Sequence, residues 1–126
     1  MRSYLLEPQA LFIPQLERVL SEAGLDVIGS GATLHERTIV ELGPELVFVD
    51  VDFLEGGGPN AICRLRDAML SVAIVAYTSV ADPLFEAWCY IAGATVVIGK
   101  WKTEAQTIEA LRGLARERLQ LEYSLT

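Results

Sequence analysis

Five short apolar runs recur along the chain, Tyr4 to Leu6, Leu25 to Ile28, Leu46 to Val49, Val72 to Tyr77 and Thr95 to Ile98, with segments of helical period between them. Each run is short, rich in β-branched or aromatic residues and bounded by Gly, Pro or an acid, the pattern of a strand. After the first, Leu16, Val19, Leu20 and Ala23 keep a helical spacing that stops at Gly24, with Pro14 in the first turn. Thr33 with Glu36 has the form of a capping box ahead of Ile39, Val40 and Leu42, and Gly43-Pro44 closes that segment. Asn60 to Met69 supplies a third helix, and Asp82-Pro83 opens a fourth by N-cap and first-turn proline. Thr103 with Gln106 caps a fifth, which runs to about Leu121. Strict alternation of this kind predicts an α/β fold, a parallel sheet with helices on both faces. Strands buried on both sides explain why VFV and VAIVAY are continuously apolar.

The chain has 126 residues, the size of a single domain, so one domain, residues 1–126, without an output domain is expected. No apolar run approaches the ~20 residues of a membrane-spanning helix, and Glu7-Pro8 interrupts the N-terminus too early for a secretory signal, so a cytoplasmic protein without membrane association is expected. A net charge of −7 opposes long-range attraction to a phosphate backbone, which argues against direct nucleic-acid binding. Cys63 and Cys89 lie in separate apolar segments outside any CxxC pair and read as reduced core thiols; with His35 the only histidine, a zinc site or a His-assisted nucleophile lacks its parts.

Sites in parallel α/β sheets lie beyond the carboxyl ends of the strands, near the point where strand order reverses. The polar residues at those ends are Glu7 after the first run, Asp50 after the third, Thr78 and Ser79 after the fourth and Lys100 after the fifth. In LVFVDVDFLEGGG the apolar run is driven into Asp50, with Asp52 beyond it; an ionised carboxylate tolerates such a neighbourhood only when paired, solvated or metal-bound. Gly56 to Gly58 has neither GxGxxG nor GxxxxGK[ST] spacing and reads as a turn.

PELVFVDVDFLEGGG, with Asp50 and Gly58 eight positions on, resembles the third-strand signature of bacterial response-regulator receiver domains of the chemotaxis type. VAIVAYTS, ending at Thr78, and GATVVIGK, carrying Gly93, Ala94 and Lys100, fall in the same register, so the resemblance spans residues 3 to about 120. It implies the flavodoxin-like five-stranded sheet in order 2-1-3-4-5. It also implies a non-enzymatic signalling role in which Asp50 accepts a phosphoryl group from a sensor histidine kinase, a phosphotransfer protein or a small phosphodonor. Thr78 is then expected to bind the phosphoryl oxygens and Lys100 to pair with the charge. Mg²⁺ is implied as cofactor, held by Glu7, Asp50 and Asp52, the last through its backbone carbonyl or its carboxylate.

The chain departs from the family pattern at several of these parts. Pro8 stands where a second strand-one acid is usual, Phe53 and Leu54 replace Met-Pro, Trp101 replaces the proline after the lysine, and Val97 stands at the usual aromatic position. A degenerate receiver, keeping the fold as a protein-interaction module without metal-dependent phosphorylation, is therefore the alternative reading. The fourth helix, DPLFEAWCYIAGA, carries two apolar sets. Phe85, Cys89 and Ala92 are expected on the sheet, and Leu84, Trp88 and Ile91 outward, toward a downstream protein or a second copy on the face of the fourth and fifth helices.

Overall fold

The structure, a computed structural model, describes residues 1–52 and 58–125. Phe53, Leu54, Gly56 and Gly57 lie outside the described residues. Five strands, β1 (Arg2–Leu6), β2 (Asp26–Gly31), β3 (Leu46–Asp50), β4 (Ala73–Thr78) and β5 (Val96–Gly99), form one sheet in the order β2-β1-β3-β4-β5. Every pairing is parallel. Among the described residues four helices connect them, α1 (Ile13–Glu22), entered through a 3-10 turn at Ala10–Phe12, α2 (Glu36–Leu42), α3 (Gly58–Ala68) and α4 (Pro83–Ala92), and α5 (Glu104–Leu125) follows β5.

The strands' period of two divides the apolar runs between two layers. Tyr4, Leu6, Val47, Val49, Ile74 and Ala76 face a core completed by Ile39 of α2, Ile62 and Leu65 of α3 and Cys89 of α4. Leu5, Leu46, Phe48, Ala73 and Val75 face the other, completed by Leu16, Val19 and Leu20 of α1 and Leu111 of α5. A fully buried Leu or Ile contributes about 1.5–3 kcal/mol to folding, so both layers drive the sheet to its centre. That burial is why Leu46–Asp50 contains no exposed residue.

Some local expectations are met by geometry. Asp82 accepts the Leu84 N–H at 2.9 Å and caps α4. Thr103 and Gln106 cap α5 reciprocally, through Gln106 N–H to Thr103 Oγ1 at 3.1 Å and Thr103 N–H to Gln106 Oε1 at 2.9 Å. Others are corrected. The Thr33–Glu36 pair is no capping box, because α2 starts at Glu36 with His35 at its N-cap, and the Thr33 hydroxyl lies 2.9 Å from His35 Nε2. β2 continues to Gly31 because backbone pairing with β1, down to Leu6↔Gly31, needs no apolar side chain at an edge strand. α5 runs on to Leu125, beyond the expected stop near Leu121. Cys89 is buried as expected, whereas Cys63 is exposed on the outer side of α3.

Gly58 opens α3 rather than ending a turn. A Cβ there would sit 2.6 Å from the carbonyl oxygen of Val51, so only glycine lets α3 start this close behind β3. On the same side of the sheet, Arg66 ties α3 to the loops around it. It donates to the carbonyl of Val72 at 2.7 Å and to that of Gly93, just past α4, at 2.8 Å.

Candidate functional site

The carboxyl ends of β1, β3, β4 and β5 meet at one rim. Glu7 follows β1, Asp50 is the last residue of β3, Thr78 is the last of β4, and Lys100 follows β5. The Lys100 N–H donates to the Thr78 carbonyl at 2.8 Å, which fixes the lysine's backbone beside β4. Over this rim, against the start of α1, lies a cleft of about 410 Å³. Glu7, Asp50, Tyr77, Ser79 and Lys100 line it, with Phe12 and Leu16 as apolar walls.

Asp50 is 2% exposed. Its Oδ1 accepts the Asp52 N–H at 3.1 Å, and its Oδ2 accepts from Lys100 Nζ at 2.8 Å. Lys100 also reaches Asp52 Oδ2 at 3.0 Å and stands over the Tyr77 ring, 5.5 Å from its centroid. Burial pulls the Lys100 ammonium down in pKa, but its bonds to Asp50 and Asp52 outweigh this and raise it above 10.5. The lysine is therefore a permanent cation here.

Asp52 carries a carboxylate with more donors than any other acid at the rim. Its Oδ1 accepts from the Thr78 hydroxyl at 2.5 Å, and its Oδ2 from the Ser79 N–H and the Ser79 hydroxyl, each at 2.8 Å. Burial pushes its pKa up, but the Thr78, Ser79 and Lys100 donors together hold it below its ordinary 3.8. Sequence reading placed Asp52 on a metal and Thr78 on an incoming group; in the structure the two bond each other. Ser79, placed at the rim by its position after the fourth apolar run but given no role there, holds Asp52 through both its N–H and its hydroxyl. The legible signal for Asp52 was DVD itself, since a period of two keeps Asp50 and Asp52 on one side of the chain while Val51 turns into the core behind β3.

Glu7 has no exposed surface. Its Oε1 accepts the Gln9 N–H at 3.0 Å, while its Oε2 is buried without a hydrogen-bond partner. Burial chiefly, then its contact with Asp50, raises the Glu7 pKa to about 7. The contact is a hydrogen bond only when Glu7 carries a proton, because two ionised carboxylates have no donor between them. An orphaned buried oxygen beside a second carboxylate is also what a hard cation takes up, and Mg²⁺ is commonly held by one or two carboxylates with waters completing its octahedron. Glu7 and Asp50 fit that role. Pro8 supplies no ligand atom, and the Asp52 carboxylate is turned to Thr78, Ser79 and Lys100 instead. Among the described residues, no group of three or more His, Cys, Asp or Glu side chains is arranged around one point.

No protein-family model matches the sequence, and no curated protein matches it. Solved structures do match its fold. A LuxR-family two-component response regulator from Aurantimonas sp. SI85-9A1 superposes with a TM-score of 0.82 at 21% identity, over 90% of this chain and 83% of that one. The signal receiver domain of the putative response regulator NarL from Mycobacterium tuberculosis gives 0.79 at 19% identity, over 91% and 95%. The isolated REC domain of RcsB from Salmonella enterica serovar Typhimurium, solved in the presence of the phosphomimetic BeF3-, gives 0.79 at 14% identity, over 92% and 88%. Across nearly the whole of its length, this chain has the fold of a response-regulator receiver domain.

Proposed function

We propose that the chain is a cytoplasmic receiver module of a two-component system, in which Asp50 accepts a phosphoryl group and the modified rim changes affinity for a partner on the α4–α5 side. The observation that carries this reading is the placement of Asp50. It ends the central strand β3, buried but facing the cleft, with Lys100 on one oxygen and Glu7 beside it. A carboxylate so placed is a competent nucleophile toward phosphorus. One of its oxygens forms a P–O bond as the donor's bond to phosphorus breaks, giving an acyl phosphate and returning the electron pair to the donor's leaving group. The donor is a histidine kinase, a phosphotransfer protein or a small phosphodonor, and the chain is the recipient of the group rather than an enzyme that turns over.

Glu7 and Asp50 would hold Mg²⁺, which when bound supplies positive charge against the phosphoryl oxygens. The chain's own contribution to that charge is Lys100, while the Asp52 N–H orients Asp50 through Oδ1. Intact mass after incubation with acetyl phosphate and Mg²⁺ tests the reading. A gain of one phosphoryl group, absent from Asp50→Asn, is expected; a gain that survives in Asp50→Asn removes Asp50 as acceptor.

A second reading, a receiver fold used as an interaction module without phosphorylation, is favoured by one specific observation. The hydroxyl and the lysine that should receive the phosphoryl group are both engaged by Asp52. No gain in mass in either protein supports it.

A further inference from the structure

Four donors converge on the Asp52 carboxylate: the Thr78 hydroxyl, the Ser79 N–H, the Ser79 hydroxyl and the Lys100 ammonium, at 2.5, 2.8, 2.8 and 3.0 Å. Such a set is unusual for an acid in the turn after a strand, which water ordinarily satisfies. The donors are also directed in advance. Thr78 Oγ1 accepts the Val80 N–H at 3.0 Å, which fixes the oxygen's orientation and leaves its one proton for Asp52. Lys100 is held by its backbone bond to Thr78 and by Asp50. The Asp52 side chain is only 7% exposed.

We propose that Thr78, Ser79 and Lys100 form a seat for a tetrahedral oxyanion, and that the Asp52 carboxylate is its built-in occupant, a plug tethered two residues beyond Asp50. Two oxygens of a carboxylate take the four donors now; three oxygens of a phosphoryl or sulfate group take the same four. The two occupants exclude each other. Lys100 spans Asp50 and Asp52 with one ammonium, so a phosphoryl group on Asp50 enters the reach of the donors that Asp52 holds, and two anions there would share one cation. This part of the inference rests on the receiver reading above. On that reading the plug must swing out before the phosphoryl group is fully bound, so Asp52 slows phosphorylation and keeps Thr78 and Ser79 committed in its absence.

The seat itself is tested without any phosphorylation. Inorganic sulfate is titrated into the protein while the Ser79 amide is followed by NMR, for the native chain, Asp52→Ala, and Asp52→Ala with Thr78→Val. Sulfate should perturb Ser79 saturably in Asp52→Ala, at least about tenfold more tightly than in the native chain, as expected for opening a charge-assisted donor set. Adding Thr78→Val should weaken that binding. Asp52→Asn, which keeps the volume and loses the charge, carries the same test should Asp52→Ala not give a native amide spectrum. A folded variant whose Ser79 amide responds to sulfate no more than the native chain's overturns the plug.

Phosphoryl uptake from acetyl phosphate, followed by intact mass, separates the two readings. Sulfate binding by Asp52→Ala without uptake in any form keeps the plug and removes the acceptor role of Asp50. Uptake at equal rates in both proteins, with no sulfate binding, removes the plug and keeps the acceptor.

Discussion

Lys100 Nζ lies 2.8 Å from Asp50 Oδ2, and that one ammonium also serves Asp52, so a single cation balances two carboxylates that are almost fully removed from water. A carboxylate in that position is costly without its partner, since breaking a buried pair leaves an uncompensated charge. The lysine is thus a structural necessity of the rim before it is a signalling part.

Lys100→Met should accordingly destabilise the protein by about 3–5 kcal/mol at pH 7, the range for breaking a buried ion pair. The loss should shrink in acid. Asp52 is held below its ordinary 3.8, so its stabilisation is complete above that value and disappears as pH falls through the folded pKa. Urea unfolding of both proteins at pH 7 and at a series of values stepping down below 3.8 checks this; a deficit that stays constant through the whole series would show that lost packing, and not lost charge, is responsible.

Glu7 titrates with the opposite sign. Its pKa is raised from 4.5 to about 7, so the folded chain holds a proton that the unfolded chain has released, and stability should fall as pH rises across that window and level off above it. Glu7→Gln mimics the protonated form and should flatten the slope, leaving the variant more stable than the native chain at pH 8 without added metal. Denaturation midpoints at pH 5, 6, 7 and 8 decide it. Parallel curves for the two proteins would remove Glu7 as the titrating group.

The fold was legible because its drivers are local and repetitive. Five apolar runs bounded by Gly, Pro or acid set the strands, and their two-sided burial set a parallel sheet. The cap pairs at Asp82 and Thr103 formed as written. The Thr33–Glu36 pair did not, because the chain enters α2 two residues later, with His35 at the N-cap, and the Thr33 hydroxyl is taken up by a local contact with His35. The rim was legible as a list of strand ends, but its wiring was not. Which donor Asp52 takes depends on where β4 and β5 end relative to β3, a long-range register that no local pattern encodes. The role of Gly58 likewise appears only once α3 is seated against Val51.

Pro8 places a residue without a ligand atom beside Glu7. Pro8→Asp should add a third carboxylate to Glu7 and Asp50, destabilising the metal-free protein by like-charge repulsion while tightening Mg²⁺ binding about tenfold. The expected signature is a Mg²⁺-dependent rise in melting temperature that is larger in the variant than in the native chain. A rise no larger than the native one would mean that residue 8 does not face the pair.

The fourth helix carries its two apolar sets as its spacing required. Cys89 is fully buried and Phe85 and Ala92 pack against the core behind it, while Leu84, Trp88 and Ile91 are 80%, 58% and 84% exposed. An indole flanked by two aliphatic side chains one turn to either side is a contiguous apolar surface, and tryptophan is prominent among residues that dominate binding energy. Because Trp88 is mostly in water, Trp88→Ala should change monomer stability by less than about 1 kcal/mol, against about 3–5 kcal/mol for truncating a core aromatic. It should weaken self-association or partner binding far more than that. Sedimentation equilibrium of the two proteins across a range of concentrations, paired with urea unfolding, separates the cases. Loss of association with unchanged stability assigns the surface to a partner or a second copy, and unchanged association of a protein that does self-associate moves the contact away from α4.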